Sequence, residues 1–240
     1  MKARYDVIYR DIRESIETGA YPYQAFLPSE AELTAAFGCS HNTLRRALGL
    51  LRDQGYVQPV HGKGVRVIYR EPERTTFTVG GIESFREADE RTHLGAQTEV
   101  VTLEQVVTTP EIAFNTGFEE GTELTHIERV RRVNGEGLIL DRNLFRTSAV
   151  PGITEEVART SIYDYAEREL GVTIATSKRA ITVERAVERD RELLDLGDID
   201  YLAVITSQTF DAQGILIECT QSRHRPDHFC FRDTAVRHRL

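Results

Sequence analysis

Residues 27–51, LPSEAELTAAFGCSHNTLRRALGLL, carry the pattern of two short helices joined by a tight turn. Ser29 stands three residues before Glu32, which is the capping-box spacing that begins a helix. Gly38 ends this helix, because glycine adopts the left-handed backbone of a sharp turn without strain. Ser40 then caps a second helix, whose apolar residues recur at helical spacing.

The two faces of the second helix differ in chemistry. The apolar face comprises Leu44, Ala47, Leu48 and Leu51, and the opposite face comprises Asn42, Arg45, Arg46 and Gly49. An amphipathic helix at residues 5–16 precedes this pair of helices. Short strands at residues 56–60 and 65–69 follow it, joined by a turn at residues 61–64. The order predicts a winged helix-turn-helix, whereas the alternative is a helical hairpin with a solvated basic face.

These segments resemble the DNA-binding domain of GntR-family transcription regulators. The resemblance rests on LPSEAEL, on Ser40-x-x-Thr43-Leu44-Arg45-Arg46-Ala47-Leu48 and on the Gly62-Lys63-Gly64 turn. It implies double-stranded operator DNA as a partner. The residues implied to contact DNA are Ser29, Glu30, Ser40, His41, Asn42, Thr43, Arg45, Arg46, His61, Gly62, Lys63 and Gly64.

The charge is distributed unevenly along the chain. The net charge of the 240 residues is −8, yet residues 1–70 hold ten Lys and Arg against seven Asp and Glu, and residues 71–240 hold 20 against 31. Such asymmetry is typical of a basic DNA-binding module joined to an acidic domain. We predict a first domain at residues 1–69, a polar linker at residues 70–75 and a second domain at residues 76–240.

Composition excludes several classes of protein. No apolar run approaches the length of a membrane span, and the first ten residues, MKARYDVIYR, lack the apolar core of a signal peptide. Cys39, Cys219 and Cys230 are odd in number and far apart, so they indicate neither a disulfide framework nor a metal site. We expect a cytoplasmic protein that has no membrane partner and needs neither a cofactor nor a metal.

The second half alternates between strands and helices. The predicted strands are residues 77–81, 98–109, 124–133, 138–145, 174–185, 202–210, 215–225 and 228–233. Helices are predicted to begin after Ser84, which forms a capping box with Glu87, and after Ser161, and a short helix is predicted at residues 188–194. Asn134-Gly135 indicates a hairpin. Because hairpins dominate, we predict an α+β fold with a mainly antiparallel sheet and helices packed on it.

The second half resembles the UTRA effector-binding domain of the HutC branch of the GntR family, a domain with a chorismate-lyase-like fold. The segments that carry this resemblance are Phe77-x-Val79-x-Gly81-Ile82-x-Ser84-Phe85, Ser161-Ile162-Tyr163-x-Tyr165 and Glu218-x-x-x-Ser222-Arg223-His224-Arg225. Within the branch, SIYDYAERELG, DRELLDL and SRHRPDHFCF are most similar to the repressors of trehalose operons.

The residues themselves indicate an anion site. Arg129 and Arg131 lie two apart on a predicted strand and therefore share a face, and paired guanidinium groups suit a phosphate or carboxylate. Ser84 and Ser161 stand at helix starts, where free N–H groups attract anions. The alternatives are a solvated arginine face and two ordinary N-caps. On a later strand, Glu218, Ser222 and His224 share a face and suit the hydroxyl groups of a sugar.

The resemblance implies a fuller effector site and a regulatory role. The implied effector-binding residues are Glu83, Ser84, Phe85, Arg129, Arg131, Asp141, Ser161, Tyr163, Glu218, Ser222 and His224. The implied effector is a sugar phosphate, with trehalose 6-phosphate favoured, and its binding would release a repressor from its operator. A single winged domain makes few contacts, so we also expect a homodimer that reads two half-sites through an interface in the second domain.

Two rival functions stay open at this point. The same architecture could sense another ligand, such as an amino-sugar phosphate or an organic acid. Alternatively, the second domain could retain lyase or hydrolase activity. The sequence contains no evident set of nucleophile, base and orienting residue, and Asp190 and Glu192 are expected to be a surface pair on a helix. We therefore predict that the protein is not an enzyme.

Overall fold

The structure is a computed structural model, and it describes residues 4–70, 77–78, 82 and 84–232. These residues form two compact units, one within residues 4–70 and the other within residues 77–231. Most of the linker predicted at residues 70–75 lies outside the described residues, so the domain boundaries stay a prediction.

Three helices and a two-stranded sheet make up the described part of the first unit. They are α1 (Arg4–Glu17), α2 (Glu30–Phe37), α3 (His41–Asp53), β1 (Val57–Val60) and β2 (Gly64–Val67). The predicted capping box is present, since the Ser29 hydroxyl accepts from the Glu32 N–H and the Glu32 carboxylate accepts from the Ser29 N–H at 2.8 Å. Gly38 ends α2 with a φ of 56°, and the Ser40 hydroxyl caps α3. The helix-turn-helix prediction is confirmed.

One apolar cluster holds the first unit together. Its buried members are Ile8, Ile12, Ile16, Leu27, Leu33, Leu44, Ala47, Leu48, Leu51, Tyr56, Val57 and Val67. The predicted apolar face of α3 is therefore its buried face. The hairpin of β1 and β2, which we call the wing, has a third backbone segment beside it that the sequence did not predict. The Leu27 N–H donates to the Val65 carbonyl at 2.8 Å, and Phe26 forms an antiparallel bridge with Arg66.

A six-stranded antiparallel sheet forms the centre of the second unit. Its strands are β4 (Gln97–Val107), β5 (Glu123–Val133), β6 (Glu136–Arg146), β7 (Ile174–Arg185), β8 (Tyr201–Asp211) and β9 (Leu216–His224). Their order across the sheet is β4-β5-β6-β9-β8-β7. The predicted antiparallel α+β fold is confirmed. Strands β6 and β9 are neighbours although about 70 residues separate them in sequence.

Helices and short strands complete the second unit. They are β3 (Phe77–Thr78), α4 (Phe85–Thr92), α5 (Pro110–Thr116), α6 (Glu155–Arg159), α7 (Ile162–Arg168), α8 (Glu188–Leu193), a 3-10 turn (Pro226–His228) and β10 (Phe231–Arg232). Helices α5 and α6, of seven and five residues, were not predicted. The strand predicted at residues 228–233 is shorter than expected, since residues 226–228 form the 3-10 turn.

Both faces of the sheet carry a covering of helices. On one face, α6 and α7 pack on Ile127 and Phe145 through Ala158 and Ile162. On the other face, the segment around α8 packs through Leu194 and Leu196 on residues that include Val130, Leu140, Leu202 and Val204. Charged side chains on the central strands are consequently shielded from water on both sides. Across the described residues, no helix is long and apolar enough to span a membrane, and no three potential ligands converge on a metal position.

A buried ion pair fastens α8 to the sheet. Asp190 is 0 % exposed; it accepts from Arg223 Nε at 2.9 Å and from the Val187 N–H at 2.9 Å. Arg223 also donates to Glu184 at 2.6 Å. Glu192 is exposed and pairs with Arg189. The expected surface pair is therefore wrong for Asp190, which points inward and caps its own helix while neutralising an arginine from β9.

Replacing Asp190 with alanine should lower the free energy of unfolding by about 3 kcal/mol, because a buried arginine loses its closest fully buried partner. The matched control is Glu192→Ala on the same helix, which should change it by less than about 0.5 kcal/mol. Guanidinium chloride denaturation followed by circular dichroism measures both. Equal effects of the two substitutions would contradict a structural role for the buried pair.

Candidate functional site

The first unit presents a polar surface at the starts of α2 and α3. His41, Asn42, Arg45 and Arg46 are exposed on α3, on the side opposite its buried leucines. Glu30, the first residue of α2, accepts from Arg45 Nε at 3.1 Å and lies 3.6 Å from His41 Nδ1. Glu30 thereby links the first turns of α2 and α3, and it forms an ion pair with Arg45, one of the two arginines predicted to contact DNA.

The second arginine of this surface has a different neighbour. The Arg46 guanidinium carbon lies 3.9 Å from the centre of the Tyr5 ring, and Nη2 donates to the Tyr5 hydroxyl at 3.2 Å. Within residues 4–70, no carboxylate pairs with Arg46. Its positive charge is therefore not neutralised locally.

The remaining predicted DNA-contact residues lie at the helix caps and at the wing tip. Ser29 and Ser40 are occupied as N-caps, and Thr43 bonds with Ser40 at 2.8 Å. His61, Gly62 and Lys63 form the exposed turn between β1 and β2, and Gly64 is the exposed first residue of β2. Gly62 and Gly64 have φ values of 70° and 109°, which favour glycine and let a backbone approach closely. The exposed lysine between them suits a phosphate.

A cavity of about 180 Å³, lined by both polar and apolar side chains, lies in the second unit on the sheet face that α6 and α7 cover. Ten of the eleven predicted effector residues line it, namely Ser84, Phe85, Arg129, Arg131, Asp141, Ser161, Tyr163, Glu218, Ser222 and His224. Glu83 lies outside the described residues. The structure thus brings together residues from five segments of the chain, namely the starts of α4 and α7 and the strands β5, β6 and β9, and their role in binding stays a prediction.

Several lining residues were missed by sequence reasoning. They include Arg86, Asn143, Thr160, Ser177, Arg179, Ser207 and Thr220. Two of them carried a signal, because Asn143 is two residues from Asp141 and Thr220 lies between Glu218 and Ser222 in the same alternation. The residues from β7 and β8 carried none, since their approach to the cavity depends on the order of strands.

Arg131 is neutralised inside the cavity wall. It is 2 % exposed, and its Nε donates to Asp141 Oδ2 at 2.9 Å while Nη1 donates to the Thr98 hydroxyl at 2.6 Å. Its guanidinium also lies 4.3 Å from the centre of the Phe85 ring. Burial raises the pKa of Asp141, but the charges of Arg131 and Arg129 and a hydrogen bond from Ser222 outweigh it, so the pKa is lowered.

Arg129 is buried without a carboxylate partner in the described part of the chain. Its Nη1 donates to the Ala158 carbonyl at 3.2 Å and its Nη2 to Asn143 Oδ1 at 2.9 Å, while Nε makes no hydrogen bond. Burial lowers the pKa of Arg129 to about 9, with repulsion from Arg131 adding to the effect. The group stays protonated at neutral pH, so the cavity contains a buried cation paired only with neutral acceptors.

A chain of hydrogen bonds continues from Arg129 across the cavity floor. Asn143 donates to Glu218 Oε1 at 2.9 Å, and Tyr163 donates to Glu218 Oε2 at 2.5 Å. Burial, followed by the charge of Glu218 and this hydrogen bond, raises the pKa of Tyr163 well above its usual value. The tyrosine therefore remains a donor, and the wall offers fixed donors and acceptors to a hydroxylated ligand.

His224 and Ser222 form a second polar group beside Asp141. The Ser222 hydroxyl donates to Asp141 and lies 2.9 Å from His224 Nε2. Burial lowers the pKa of His224 to about 4, although the charge of Asp141 opposes this. The imidazole is therefore neutral at physiological pH and adds no positive charge to the cavity.

The two predicted helix starts meet at the cavity. The Ser84 hydroxyl accepts from the Glu87 N–H, and the Ser161 hydroxyl accepts from the Asp164 N–H, each at 3.2 Å. Arg86 from α4 lies 3.9 Å from Asp164 of α7, which brings the first turns of the two helices close together. Both serines are N-caps, and both also line the same cavity.

Comparison with known families and proteins agrees with this division. Residues 4–67 match the family described as bacterial regulatory proteins, gntR family, and residues 92–230 match the UTRA domain. The HTH-type transcriptional regulator TreR of Bacillus subtilis (strain 168) is 36% identical over 236 residues, which cover 98% of both chains. The regulator GmuR of the same organism is 26% identical over 234 residues, covering 98% of this chain and 99% of that protein.

Solved structures show the same fold. That of the possible transcriptional regulator YydK from Bacillus subtilis has a TM-score of 0.82 at 22% identity and covers 98% of this chain and 100% of its own. The effector-binding domain of the Bacillus subtilis trehalose repressor has a TM-score of 0.55 at 34% identity, and covers 60% of this chain and 99% of its own. The chain belongs to the GntR family of bacterial transcription regulators, as a member whose second domain is a UTRA domain.

Proposed function

We propose that this chain is a homodimeric repressor of trehalose utilisation genes, which trehalose 6-phosphate releases from operator DNA. The observation that carries the proposal is Arg129, a buried guanidinium bonded only to neutral acceptors among the described residues. The 36% identity to TreR supports trehalose as the sugar.

A phosphate ester would give Arg129 an anion in direct contact, in addition to the more distant charges of Asp141 and Glu218. A buried charge without a counter-ion is costly, and an anionic ligand supplies the missing partner. Arg131 already has Asp141 at 2.9 Å, so the unpaired charge is that of Arg129. We place the phosphate near Arg129 and the first turns that begin after Ser84 and Ser161, where free N–H groups add favourable dipoles.

The sugar would meet the polar wall beyond the phosphate. Asp141, Glu218 and Ser222 offer acceptors and a hydroxyl, and neutral His224 can exchange hydrogen bonds without adding charge. These groups come from the neighbouring strands β6 and β9, which hold them rigidly. A rigid set of donors and acceptors selects a ligand by its pattern of hydroxyl groups.

The geometry gives no support to the rival enzymatic function. In a catalytic triad the imidazole lies between the hydroxyl and the carboxylate. Here the Ser222 hydroxyl lies between Asp141 and His224, so the histidine is not oriented by the acid. The relatives compared above are named as regulators, and we propose that the chain has no catalytic activity.

DNA binding is assigned to the exposed face of α3 and to the wing. Arg45→Ala and Arg46→Ala should each weaken operator binding by about 1–3 kcal/mol, because arginine contacts to a base or phosphate are lost. Arg52→Ala is the matched control, since Arg52 is also exposed on α3 but is paired with Asp53 near the helix end. Gel-shift titration measures the three variants. Unchanged affinity in both test variants would reject this surface.

Dimer formation should accompany operator binding, because two winged domains that engage adjacent half-sites gain avidity without new contacts. We expect the UTRA domain to supply the interface and the operator to be nearly palindromic. Multi-angle light scattering of the full chain, with and without operator, should give a mass of two chains. A monomer under both conditions would contradict the proposal.

Trehalose 6-phosphate should bind much more tightly than trehalose, and Arg129→Met should remove most of that difference. Loss of a charge-assisted hydrogen bond predicts a weakening of about 10- to 100-fold for the phosphate ester, with little change for the free sugar. Methionine keeps the volume of the buried chain. Isothermal titration calorimetry measures each affinity, and a melting curve without ligand confirms that the variant is folded.

The matched control for this test is Arg132→Ala. Arg132 lies on the opposite face of β5 from Arg129, and it pairs with Glu99 at 2.8 Å outside the cavity, so both affinities should remain those of the wild type. Equal binding of the two sugars to the wild type would reject the phosphate site. If neither trehalose nor trehalose 6-phosphate binds but an amino-sugar phosphate or an organic acid does, the cavity remains the proposed effector site and the assignment of trehalose is rejected.

Effector and operator must affect each other equally if the proposed switch operates. An effector that weakens DNA binding by a given factor has its own affinity weakened by the same factor when DNA is bound. A useful switch needs about 1–3 kcal/mol of coupling.

A further inference from the structure

Two adjacent arginines on α3 make different contacts, one with a carboxylate and the other with an aromatic ring. Arg45 lies in an ion pair with Glu30, whose carboxylate is 3.1 Å from its Nε. Arg46 instead lies over the Tyr5 ring at 3.9 Å and donates one hydrogen bond to the ring hydroxyl at 3.2 Å. The first arrangement neutralises the guanidinium, whereas the second orders it and leaves its full charge in place.

We propose that Tyr5 is a positioning residue for DNA binding, which holds Arg46 in the orientation that contacts operator DNA. This inference rests on the proposed function. Tyr5 belongs to the first turn of α1, a helix that sequence patterns assign only to the core. In the structure it has a second task, because its ring and hydroxyl both face an exposed arginine of α3.

The geometry explains why a tyrosine suits this task. A guanidinium is planar, so stacking on an aromatic ring fixes its plane, and the hydroxyl bond to Nη2 fixes its rotation within that plane. Nε and Nη1 have no partner among the described residues and remain available as donors. Ordering the long side chain before DNA arrives also reduces the rotamer freedom that binding would otherwise remove.

The position of Tyr5 is itself fixed by the core. Its helix is anchored by Ile8 and Ile12, which are 2 % and 1 % exposed and pack with the buried face of α3. The backbone that carries the ring is therefore held against α3, and the ring itself packs against the same apolar cluster. Tyr9, one turn further along α1, also packs against the core, but its hydroxyl donates to Gln54 at the end of α3.

A double-mutant cycle on the full chain tests the proposal. The variants are Tyr5→Leu, Tyr5→Phe, Arg46→Ala and the double variant Tyr5→Leu/Arg46→Ala, with Tyr9→Leu as the matched control for lost packing on α1. The probe is a duplex that the wild-type protein selects from a random-sequence library, and a random duplex of equal length shows that binding is selective. Fluorescence anisotropy gives the dissociation constants, and thermal melting confirms folding.

We expect Tyr5→Leu to weaken binding about three- to ten-fold and Tyr5→Phe, which keeps the ring, to weaken it less. The double variant should bind no more weakly than Arg46→Ala, because Tyr5 acts through Arg46. Additive losses, or a loss in Tyr5→Leu no greater than in Tyr9→Leu, would overturn the proposal. If the wild type selects no duplex, the proposed DNA-binding function fails, and this inference fails with it.

Discussion

Charged side chains lie on both faces of the six-stranded sheet, and the structure of the second domain depends on how each buried charge is satisfied. Helices cover both faces, so water does not solvate Arg129 and Arg131 of β5 or Arg223 of β9. A buried cation is tolerated when a carboxylate lies close to it. Arg223 meets this condition through Asp190, and Arg131 meets it through Asp141. The first pair fastens a helix, and the second pair builds one wall of the cavity.

Arg129 departs from this pattern, and the departure is the basis of our proposal that the cavity binds a ligand. Its neighbours on α6 and β6 satisfy its hydrogen bonds in part, with the Ala158 carbonyl and the Asn143 amide oxygen, and neither group carries a negative charge. A protein that only needed a stable core would gain from an apolar residue at this position. Retaining the cation makes sense when a ligand supplies the anion, which is the basis of our assignment to a sugar phosphate.

In the first domain, the exposed arginines Arg45 and Arg46 also differ in whether a carboxylate contacts them, but here solvent surrounds the side chains. Glu30 holds Arg45 by an ion pair that is partly exposed, with 67% of the arginine side chain accessible, so solvent screens it and DNA can compete with it. The aromatic contact of Arg46 needs no such exchange. In the proposed complex with DNA, Arg45 would therefore have to exchange Glu30 for a new partner, whereas Arg46 would already be ordered.

The sequence by itself determined the local features of this protein. Capping serines, the left-handed Gly38 and the spacing of leucines specified the helix-turn-helix, and alternation along β5 placed Arg129 and Arg131 on one face, because these signals act over a few residues. Only the tertiary structure decided that β9 lies beside β6, which sets Glu218 and Ser222 next to Asp141. It also decided that Asp190 is buried and that Tyr5 reaches Arg46. These outcomes join segments tens of residues apart, and no local periodicity encodes which distant strands or helices become neighbours.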